Sequence, residues 1–341
     1  MLVIRPARLD DLGQLVDISV ATGPGMTSMP ADPDMWRRRL AHAEASFGSR
    51  SPNDSGTYFM VLEDIAANAV VGTTAIYTGI GRKRPFYSYK VSTLVNYSSQ
   101  LDRTVTHKVL HLVNDYTGAT EIGSLYLDPA YRRDGNGAFI SRSRYLLLAS
   151  LRPRFADVVI AEMRGWQDAH GNSPFWEHLG KKFFGIGFEN ADYMNAVNGT
   201  QFISDLMPRY PIYVDLLPAE AREVIGKPHA ESAKALALLE REGFYCADYV
   251  DIFDGGPTVQ CRTDAIRSVR DVRRLEVTEL VDDGKLADAR QYIIANDDIS
   301  RYRIVRHGLV VADSGAIMGR EAARILGRTA GQSISVLEIR T

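Results

Sequence analysis

The sequence has few of the features that mark secreted, membrane-bound or nucleic-acid-binding proteins. Cysteine is scarce: Cys246 and Cys261 are the two in 341 residues, and they form no Cys-x-x-Cys pair. This excludes a framework of disulfide bonds and suits a reducing cytoplasm, where both thiols are expected to be structural. The apolar run Met1–Ile4 is too short for a signal peptide, and no later run is long enough to span a bilayer.

An excess of charge of one sign is also lacking. Lysine and arginine number 40 against 42 aspartate and glutamate residues, so the formal net charge is −2. A chain with this balance has no basic surplus to attract nucleic acid or an anionic membrane, and we expect neither as a partner. The length and ordinary composition predict a soluble globular protein with one large domain and a smaller one.

What the sequence does contain is a strand that leads into a glycine-rich turn. The segment Ser124–Leu127 fits a strand, and the spacing Arg132-x-x-Gly135-x-Gly137 then opens a predicted helix. Glycine lets a backbone approach a ligand closely, and the free N–H groups of a first helical turn attract phosphate. The turn lacks the Lys-Ser/Thr of a nucleotide P-loop and the spacing of a dinucleotide fingerprint.

Charged side chains in this turn support a diphosphate site. Arg132 and Arg133 add positive charge to the predicted cradle. Asp134 is a carboxylate in the same place, so we expect it to cap the following helix and not to face the phosphates.

Strands and helices alternate through the first 256 residues. Strands are expected at Leu2–Ile4, Tyr58–Leu62, Val70–Tyr77, Phe86–Val95, Ile122–Leu127 and Asp157–Glu162. Helices are expected after Asp10, at Pro33–Ala45, and from Gly137 to Leu151. Two further segments, Ser173–Gly180 and Ala235–Phe244, each read as an apolar-faced helix that ends at a glycine.

Composition changes after Asp254–Pro257. Short β-rich runs follow, broken by Asp and Gly turns and by one predicted helix at Arg320–Leu326; they are Thr258–Cys261, Arg274–Leu280, Gln291–Ile294, Tyr302–Val311 and Ser333–Ile339. The sequence therefore predicts a larger domain at residues 1–256 and a small, mainly β domain at residues 257–341, for which a closed barrel is one arrangement.

Several segments together resemble the arginine N-succinyltransferases of bacterial arginine catabolism. They are Gly23–Ser28, Arg132–Gly137, Ser173–Trp176, Leu206–Tyr213, Val224–Ala230 and Asp251–Thr258. The resemblance implies the α+β fold of GCN5-related N-acetyltransferases (GNAT), a mixed sheet flanked by helices and splayed at the cofactor strand. A β-rich C-terminal region like residues 257–341 also occurs in that family.

The resemblance also implies an activity. The family transfers succinyl from succinyl-CoA to the α-amine of L-arginine, which gives N2-succinyl-L-arginine and CoA. Amide formation from a thioester needs no metal or organic cofactor beyond the acyl donor, so none is expected. Succinyl-CoA and L-arginine are the expected small-molecule partners. A homo-oligomer or a paired-subunit hetero-oligomer is expected, in the cytoplasm.

The resemblance assigns roles to particular residues. His229 matches the family's catalytic proton donor; the sequence leaves open that it deprotonates the α-ammonium of arginine instead. Ala230 stands where the family pattern has proline. The acyl donor is expected along the strand at Leu125 and Leu127, with its diphosphate on Arg132, Arg133, Gly135, Asn136 and Gly137. The side chain of Leu125 by itself reads as core, so its expected contact is through the backbone.

Substrate recognition is less defined by the sequence. Asp251 and Asp254 are candidates for the guanidinium group, and Thr27, Ser28, Lys90 and Arg164 are candidates for the carboxylates. His107 and His111 have the spacing of two metal ligands on a helix, but without a third ligand we expect no metal site. Cys246 is expected to be buried, and the three tryptophans are expected to pack in cores.

Two alternatives to arginine succinylation stay open. One is succinylation of ornithine on the same scaffold. The other is a non-catalytic partner subunit, which loss of the glycine loop or of the histidine would favour; this chain keeps both.

Overall fold

A computed structural model describes residues 1–22, 28–49, 55–198, 201–286, 288–312 and 315–339. The strands in these ranges are β1 Leu2–Pro6, β2 Thr57–Asp64, β3 Ala69–Thr78, β4 Ser88–Ser98, β5 Arg103–Val113, β6 Thr120–Leu127, β7 Val158–Glu162, β8 Ile212–Tyr213, β9 Tyr245–Val250, β10 Pro257–Arg262, β11 Arg273–Val281, β12 Gln291–Ala295, β13 Ile304–Ala312, β14 Gly315–Gly319 and β15 Ser333–Glu338. The α-helices are α1 Leu12–Thr22, α2 Pro33–Gly48, α3 Asn136–Ser150, α4 Lys181–Phe184, α5 Phe188–Asn198, α6 Gln201–Leu206, α7 Ala219–Arg222, α8 Ala233–Arg241, α9 Arg267–Asp271 and α10 Arg320–Leu326.

The chain divides into two compact units. Unit 1 contains Met1–Thr78, Ile122–Asp157 and Arg262–Thr341, and unit 2 contains Gly79–Glu121 and Val158–Cys261. The chain passes from unit 2 to unit 1 within β6 and again within β10.

Strand β1 is central to unit 1. It pairs antiparallel with β2, with Leu2 opposite Asp64, and on its other side with β13, with Val3 opposite Val305. Beyond β2 the sheet continues to β3 and then to the Ile122–Leu127 part of β6. The N-terminal strand is therefore covered on both edges, as an aggregation-resistant strand should be.

Helices cover both faces of this sheet. Side chains of α1 and α2, including Leu15 and Trp36, pack in one buried cluster with Phe59 of β2. On the opposite face a Cβ at Gly72 of β3 would lie 2.9 Å from Ile140 of α3. The sheet with helices on both sides is the expected mixed α+β architecture.

A buried ion pair ties the first elements of unit 1 together. Arg5 of β1 donates from both terminal nitrogens to Asp11, at 2.8 Å each, and from Nε to Glu63 of β2 at 2.5 Å. Arg5 is 8 % exposed. A bidentate fork of this kind fixes geometry as well as charge.

The C-terminal strands of unit 1 close into a barrel. Pairing runs β12–β15–β11–β14–β13, and β13 returns to β12, so the five strands form a ring. Apolar side chains of the ring, such as Ile294 and Val336, share a buried cluster with Leu326 of α10. Closure removes the free edges that a small sheet would otherwise expose.

Unit 2 contains strands that pair mostly antiparallel. Its order is β7–β10–β9–β4–β5–β8, and β6 pairs parallel with β7 at Thr120↔Val159 and Glu121↔Ile160. The core on this sheet is aromatic: Trp176 stacks on Phe253, with ring centroids 5.5 Å apart. No helix in the described ranges is long and apolar enough to cross a membrane.

Most predicted elements are confirmed, but strands β5, β8 and β14 were not predicted. The longest of these, β5 at Arg103–Val113, pairs with β4 over its whole length. The helix predicted to end at Gly180 continues through a π-helical turn, Trp176–Gly180, and ends at Gly185, which has φ 68°. Gly180 is required by packing and not by a helix end, because a Cβ there would clash with the Trp176 ring.

The two units also differ from the division expected after residue 256. The C-terminal region begins close to that position, at Arg262, but it folds together with residues 1–78. The physical reason is the β1–β13 pairing and a shared core, in which Val3 packs with Val305 and Leu309.

Truncation tests this division. A chain that ends at Cys261 would leave one edge of β1 unpaired and expose Val3, so we expect an aggregating fragment without a cooperative unfolding transition. Soluble yield, light scattering and circular-dichroism melts of residues 1–261 and of the full chain measure this. A monodisperse fragment with a sharp transition would instead support an independent domain boundary near residue 256.

Candidate active site

The glycine-rich turn lies in unit 1, between the end of β6 and α3. A short 3₁₀ turn, Pro129–Tyr131, follows the strand. Asp134 and Gly135 both have left-handed backbones, with φ 52° and 73°. Because α3 begins at Asn136, Gly135 is its N-cap residue, and no side chain caps the helix. The prediction that Asp134 caps α3 is wrong; its carboxylate lies 3.8 Å from the Arg133 guanidinium instead.

The turn leaves donors and space for an anion. The amides of Gly137 and Ala138 belong to the first turn of α3, where an α-helix provides no acceptor for them. A Cβ at Gly137 would meet no atom within 4 Å, so the approach to these amides is open. Arg133 is 71 % exposed, whereas Arg132 turns back and donates from Nε to the Leu127 carbonyl at 3.0 Å. The residues predicted for the diphosphate thus lie together in one turn, which presents the N–H groups of a helix start and one exposed guanidinium.

Strand β6 is irregular just before the turn. Ser124 has φ 48°, a left-handed conformation that is rare for a non-glycine residue within a strand. Its carbonyl accepts from the Thr73 hydroxyl at 2.8 Å, and its hydroxyl lies 2.7 Å from the Tyr77 hydroxyl. The interruption falls immediately before Leu125, where the backbone was expected to meet the acyl donor.

The two leucines of β6 differ in burial. Leu127 is 9 % exposed and belongs to the core, whereas Leu125 is partly buried. The side chain of Leu127 is therefore committed to packing, and a contact of this residue with a ligand would use its backbone.

His229 lies in unit 2, at the start of the 3₁₀ turn Ala230–Ser232 that precedes α8. Its N–H donates to the Arg164 carbonyl at 2.8 Å. Its Nδ1 accepts from the Glu231 N–H at 3.3 Å and lies 3.8 Å from the Glu231 carboxylate. The side chain is 18 % exposed, so the ring is held by the backbone with part of its surface open.

The surroundings of His229 favour its neutral form. Burial lowers the pKa of the imidazole, the positive charge of Arg164 lowers it further, and the carboxylate of Glu231 opposes both. Because Nδ1 accepts a backbone N–H, the neutral ring carries its proton on Nε2. At neutral pH, His229 therefore offers an N–H donor at Nε2.

Asp254 anchors the backbone that carries His229. Its Oδ2 accepts from the Gly165 N–H at 2.6 Å and its Oδ1 from the Gly256 N–H at 2.8 Å. Gly165 in turn forms an isolated antiparallel β-bridge with Pro228, the residue before His229. Neither glycine has room for a side chain: a Cβ at Gly165 would lie 2.6 Å from Oδ1 of Asp254, and one at Gly256 would lie 2.6 Å from the Gly165 nitrogen.

The two candidate ligands for a guanidinium are thus used within the protein. Both oxygens of Asp254 accept backbone N–H groups, and the residue is 7 % exposed. Oδ1 of Asp251 accepts from the Phe253 and Asp254 amides at 2.7 and 3.0 Å. Their hydrogen bonds give these carboxylates a structural role, which the sequence did not reveal.

Glu162, the last residue of β7, is a titratable group that sequence reasoning missed. It is partly buried. Burial raises its pKa well above the ordinary value, and the negative charges of Asp251, Glu121 and Asp254 raise it further. The one available signal was a carboxylate that ends an otherwise apolar strand.

The other recognition candidates are divided between the units. In unit 1, the Ser28 hydroxyl lies 3.3 Å from that of Ser124, while Thr27 lies outside the described residues. In unit 2, Lys90 is exposed with Nζ 5.3 Å from the Tyr249 ring centroid. Arg164 lies beside His229, with Nη1 3.6 Å from Glu231. Arg164 is therefore the candidate that the structure brings to the histidine.

His107 and His111 lie on strand β5 and not on a helix, and His107 pairs with Asp215 at 2.5 Å. No group of three or more His, Cys, Asp or Glu side chains in the described ranges could hold a metal ion.

Two packing expectations have different outcomes. Cys246, on β9, is exposed, so the prediction that it is buried is wrong, while Cys261 is buried. The tryptophans pack as predicted, with Trp36 and Trp176 fully buried and Trp166 against the core of unit 2.

The architecture and the glycine-rich turn define a class of enzyme. A mixed sheet with helices on both faces, and an Arg-x-x-Gly-x-Gly turn from a strand into a helix N-terminus, are features of GNAT-like acyl-CoA transferases. The family described as "Arginine N-succinyltransferase beta subunit" matches residues 2–268. The chain belongs to the arginine N-succinyltransferase family and is an acyltransferase.

Individual relatives agree along the whole chain. Arginine N-succinyltransferase of Yersinia pseudotuberculosis (serotype IB, strain PB1/+) is 40% identical over 346 residues, which cover 99% of this chain and 98% of that protein. The Escherichia coli enzyme of the same name (strain 55989 / EAEC) is 39% identical over 341 residues, covering 99% and 98%. The solved structure of arginine/ornithine succinyltransferase subunit AI from Pseudomonas aeruginosa matches with a TM-score of 0.90 and 35% identity, over 100% of this chain and 99% of that one.

Two carboxylates of unit 2 should respond oppositely to neutralisation. The folded-state pKa of Glu162 is raised above its unfolded value, so the folded protein favours the protonated carboxyl. The resulting stabilisation of the fold is present at low pH and is lost as pH rises through the folded-state pKa. Glu162→Gln should therefore raise the thermal midpoint, and by more at pH 8 than at pH 5.

Asp254→Asn is the matched variant. It removes a charge-assisted acceptor from a backbone amide and turns an NH₂ toward it, which costs about 1.5–3 kcal/mol. Thermal melts of both variants and the parent at the two pH values measure the contrast. Destabilisation by Glu162→Gln at pH 8 would contradict the unfavourable environment assigned to that carboxylate.

Proposed function

We propose that this protein transfers the succinyl group of succinyl-CoA to the α-amine of L-arginine, giving N2-succinyl-L-arginine and CoA in arginine catabolism. The observation that carries the proposal is that a chain matching arginine N-succinyltransferases over its whole length keeps both His229 and the glycine-rich turn at Arg132–Gly137, here called the phosphate turn. We place the reaction in the cytoplasm, which the scarcity of cysteine and the lack of a disulfide bond between Cys246 and Cys261 support. No cofactor beyond succinyl-CoA is part of the proposal.

The donor is assigned to unit 1. Its diphosphate would take the N–H groups at the start of α3 and the charge of Arg133, and Gly135, Asn136 and Gly137 would shape the turn. The pantetheine arm would follow the backbone at Leu125 and Leu127, next to the irregularity at Ser124.

His229 is assigned the proton transfer. The α-amine attacks the thioester carbonyl, the C–N bond forms, and the C–S bond breaks with its electron pair leaving on sulfur. In the same concerted step Nε2–H of His229 donates to the departing thiolate and the substrate nitrogen returns a proton to Nε2, so CoA leaves as the thiol, the amide is neutral and no imidazolate forms. The Nδ1 contact to Glu231 supports the donor role over the base role, because it fixes the proton of the neutral ring on Nε2.

Replacing His229 tests this role. His229→Ala should lower kcat by about 10²-fold or more, on the usual scale for a proton-transfer group, with little change in the KM for succinyl-CoA. A thiol-release assay with succinyl-CoA and L-arginine measures both. His170→Ala, an exposed histidine in the same unit, is the matched control and should retain full activity. Equal rates in His229→Ala and the parent would remove His229 from the chemistry.

The pH profile separates the two protonation states. The pKa of His229 is lowered, so the neutral imidazole prevails at pH 7 and is lost only as pH falls through that lowered pKa. The ratio of the parent rate to the His229→Gln rate should stay high from pH 7 to 8 and fall below the ordinary histidine pKa of about 6.5. A ratio that instead declines as pH rises from 5 to 7 would assign catalysis to the imidazolium.

Two features of the relatives bear on substrate and assembly. The Pseudomonas aeruginosa structure is titled arginine/ornithine succinyltransferase, so L-ornithine is the second candidate acceptor, to be compared in the same assay. That title says subunit AI, and the matched family is described as a beta subunit. We therefore propose an oligomer, as a homo-oligomer or with a paired subunit, and light scattering of the purified chain distinguishes these from a monomer.

A further inference from the structure

Arg306 of the C-terminal barrel reaches the phosphate turn. It lies on β13, opposite Ile293 of β12. One terminal nitrogen donates to the Asp134 carbonyl, and the other donates to Oδ1 of Asn136 at 3.2 Å. Its guanidinium carbon is 5.8 Å from the ring centroid of Phe139, one turn into α3. A single side chain thus contacts the turn, the first residue of the helix and its first full turn.

The contacted atoms determine the shape of the turn. The Asp134 carbonyl belongs to the peptide between two left-handed residues, and the one at Asp134 is disfavoured for a residue with a Cβ. Asn136 is 4 % exposed and also donates from Nδ2 to the Tyr131 carbonyl at 3.1 Å. Arg306 therefore holds the peptide that sets the direction of the following N–H groups, which are the proposed diphosphate ligands.

The charge of Arg306 is balanced by carboxylates close to it. A cavity of about 210 Å³ beside the turn is lined by Arg133 and Arg306, but also by the carboxylates of Asp64 and Asp134. Opposite charges balance there, so we assign no ligand to the cavity itself. The support for a role of Arg306 is its geometry on the turn.

We propose that Arg306 is a positioning residue for the acyl donor, through which the C-terminal barrel holds the phosphate turn in its binding conformation. The inference rests on the proposed function, since it takes the turn as the diphosphate site. It gives the barrel a role in donor binding that the sequence did not indicate.

Donor affinity is the test. Arg306→Met keeps an unbranched apolar side chain of similar reach but removes two hydrogen bonds made by a charged donor. The Kd for CoA, measured by titration calorimetry on the full-length protein, should rise about 10- to 100-fold. The KM for succinyl-CoA should rise in parallel, while kcat at saturating donor and the KM for L-arginine stay within about twofold.

Two further variants define the cause. Arg306→Lys keeps the charge but cannot form both contacts at once, so its Kd should lie between those of the parent and Arg306→Met. Arg290→Met is the matched control: Arg290 is an exposed arginine immediately before β12 that pairs with Glu338 at 3.1 Å, and its loss should leave the Kd for CoA unchanged. If Arg306→Met does not fold, Arg306→Lys decides by the same measurement.

The outcomes separate this inference from the proposed function. If the parent protein binds CoA and an Arg306 variant binds it equally well, the positioning role is overturned and the transferase function stands. A variant that loses kcat and affinity for both substrates together, with a lower thermal midpoint, would also overturn it in favour of a purely structural role. Parent protein that binds no CoA would overturn the proposed function, and this inference with it.

Discussion

The histidine centre depends on one buried carboxylate. Asp254 accepts from two backbone amides, Gly165 and Gly256, on segments with no room between them for a side chain. Buried amides without partners cost free energy comparable to a lost hydrogen bond, so the close approach is possible because Asp254 satisfies both. The segment fixed in this way presents the Arg164 carbonyl to the N–H of His229. The position of the imidazole is therefore determined by backbone hydrogen bonds and only secondarily by contacts of its ring.

The parts of the site that are formed by residues close together in the sequence could be predicted from the sequence. The turn at Arg132–Gly137 was predictable because the glycine spacing, the preceding strand and the helix start all lie within a few residues of one another. His229 was predicted from the family resemblance; its loop alone carries no signal that distinguishes it from a surface histidine. Its tautomer depends on the N–H of Glu231, and its lowered pKa depends on burial and on Arg164, which is distant in sequence.

Distant pairings account for what the sequence did not reveal. The roles of Asp254 and Arg306 depend on partners far along the chain, and neither lies in a pattern that names its partner. The grouping of residues 262–341 with residues 1–78 has the same cause: β1 finds β13, and no periodicity in either strand specifies the other. The β-rich character of the C-terminal region was predictable from turn and strand patterns, because those are local, although β14 was missed there. In unit 2, β8 and β5 were also missed, and the alternation of β5 includes two histidines and a lysine.

The phosphate turn shows why a small barrel would be kept beside a transferase fold. A left-handed Asp134 next to a left-handed Gly135 is a conformation that the turn holds only if surrounding groups favour it over relaxed alternatives. Part of that support is local, since Asn136 donates back to Tyr131. The remainder comes from Arg306, whose backbone is fixed by pairing within a closed ring of strands and so loses little further entropy when its side chain forms two bonds. A rigid support is more effective than a flexible one for this purpose, because a ligand that binds a preformed turn does not have to order it. The closed barrel thus stabilises, through Arg306, the left-handed conformation at Asp134 and Gly135 that the turn would not adopt by itself.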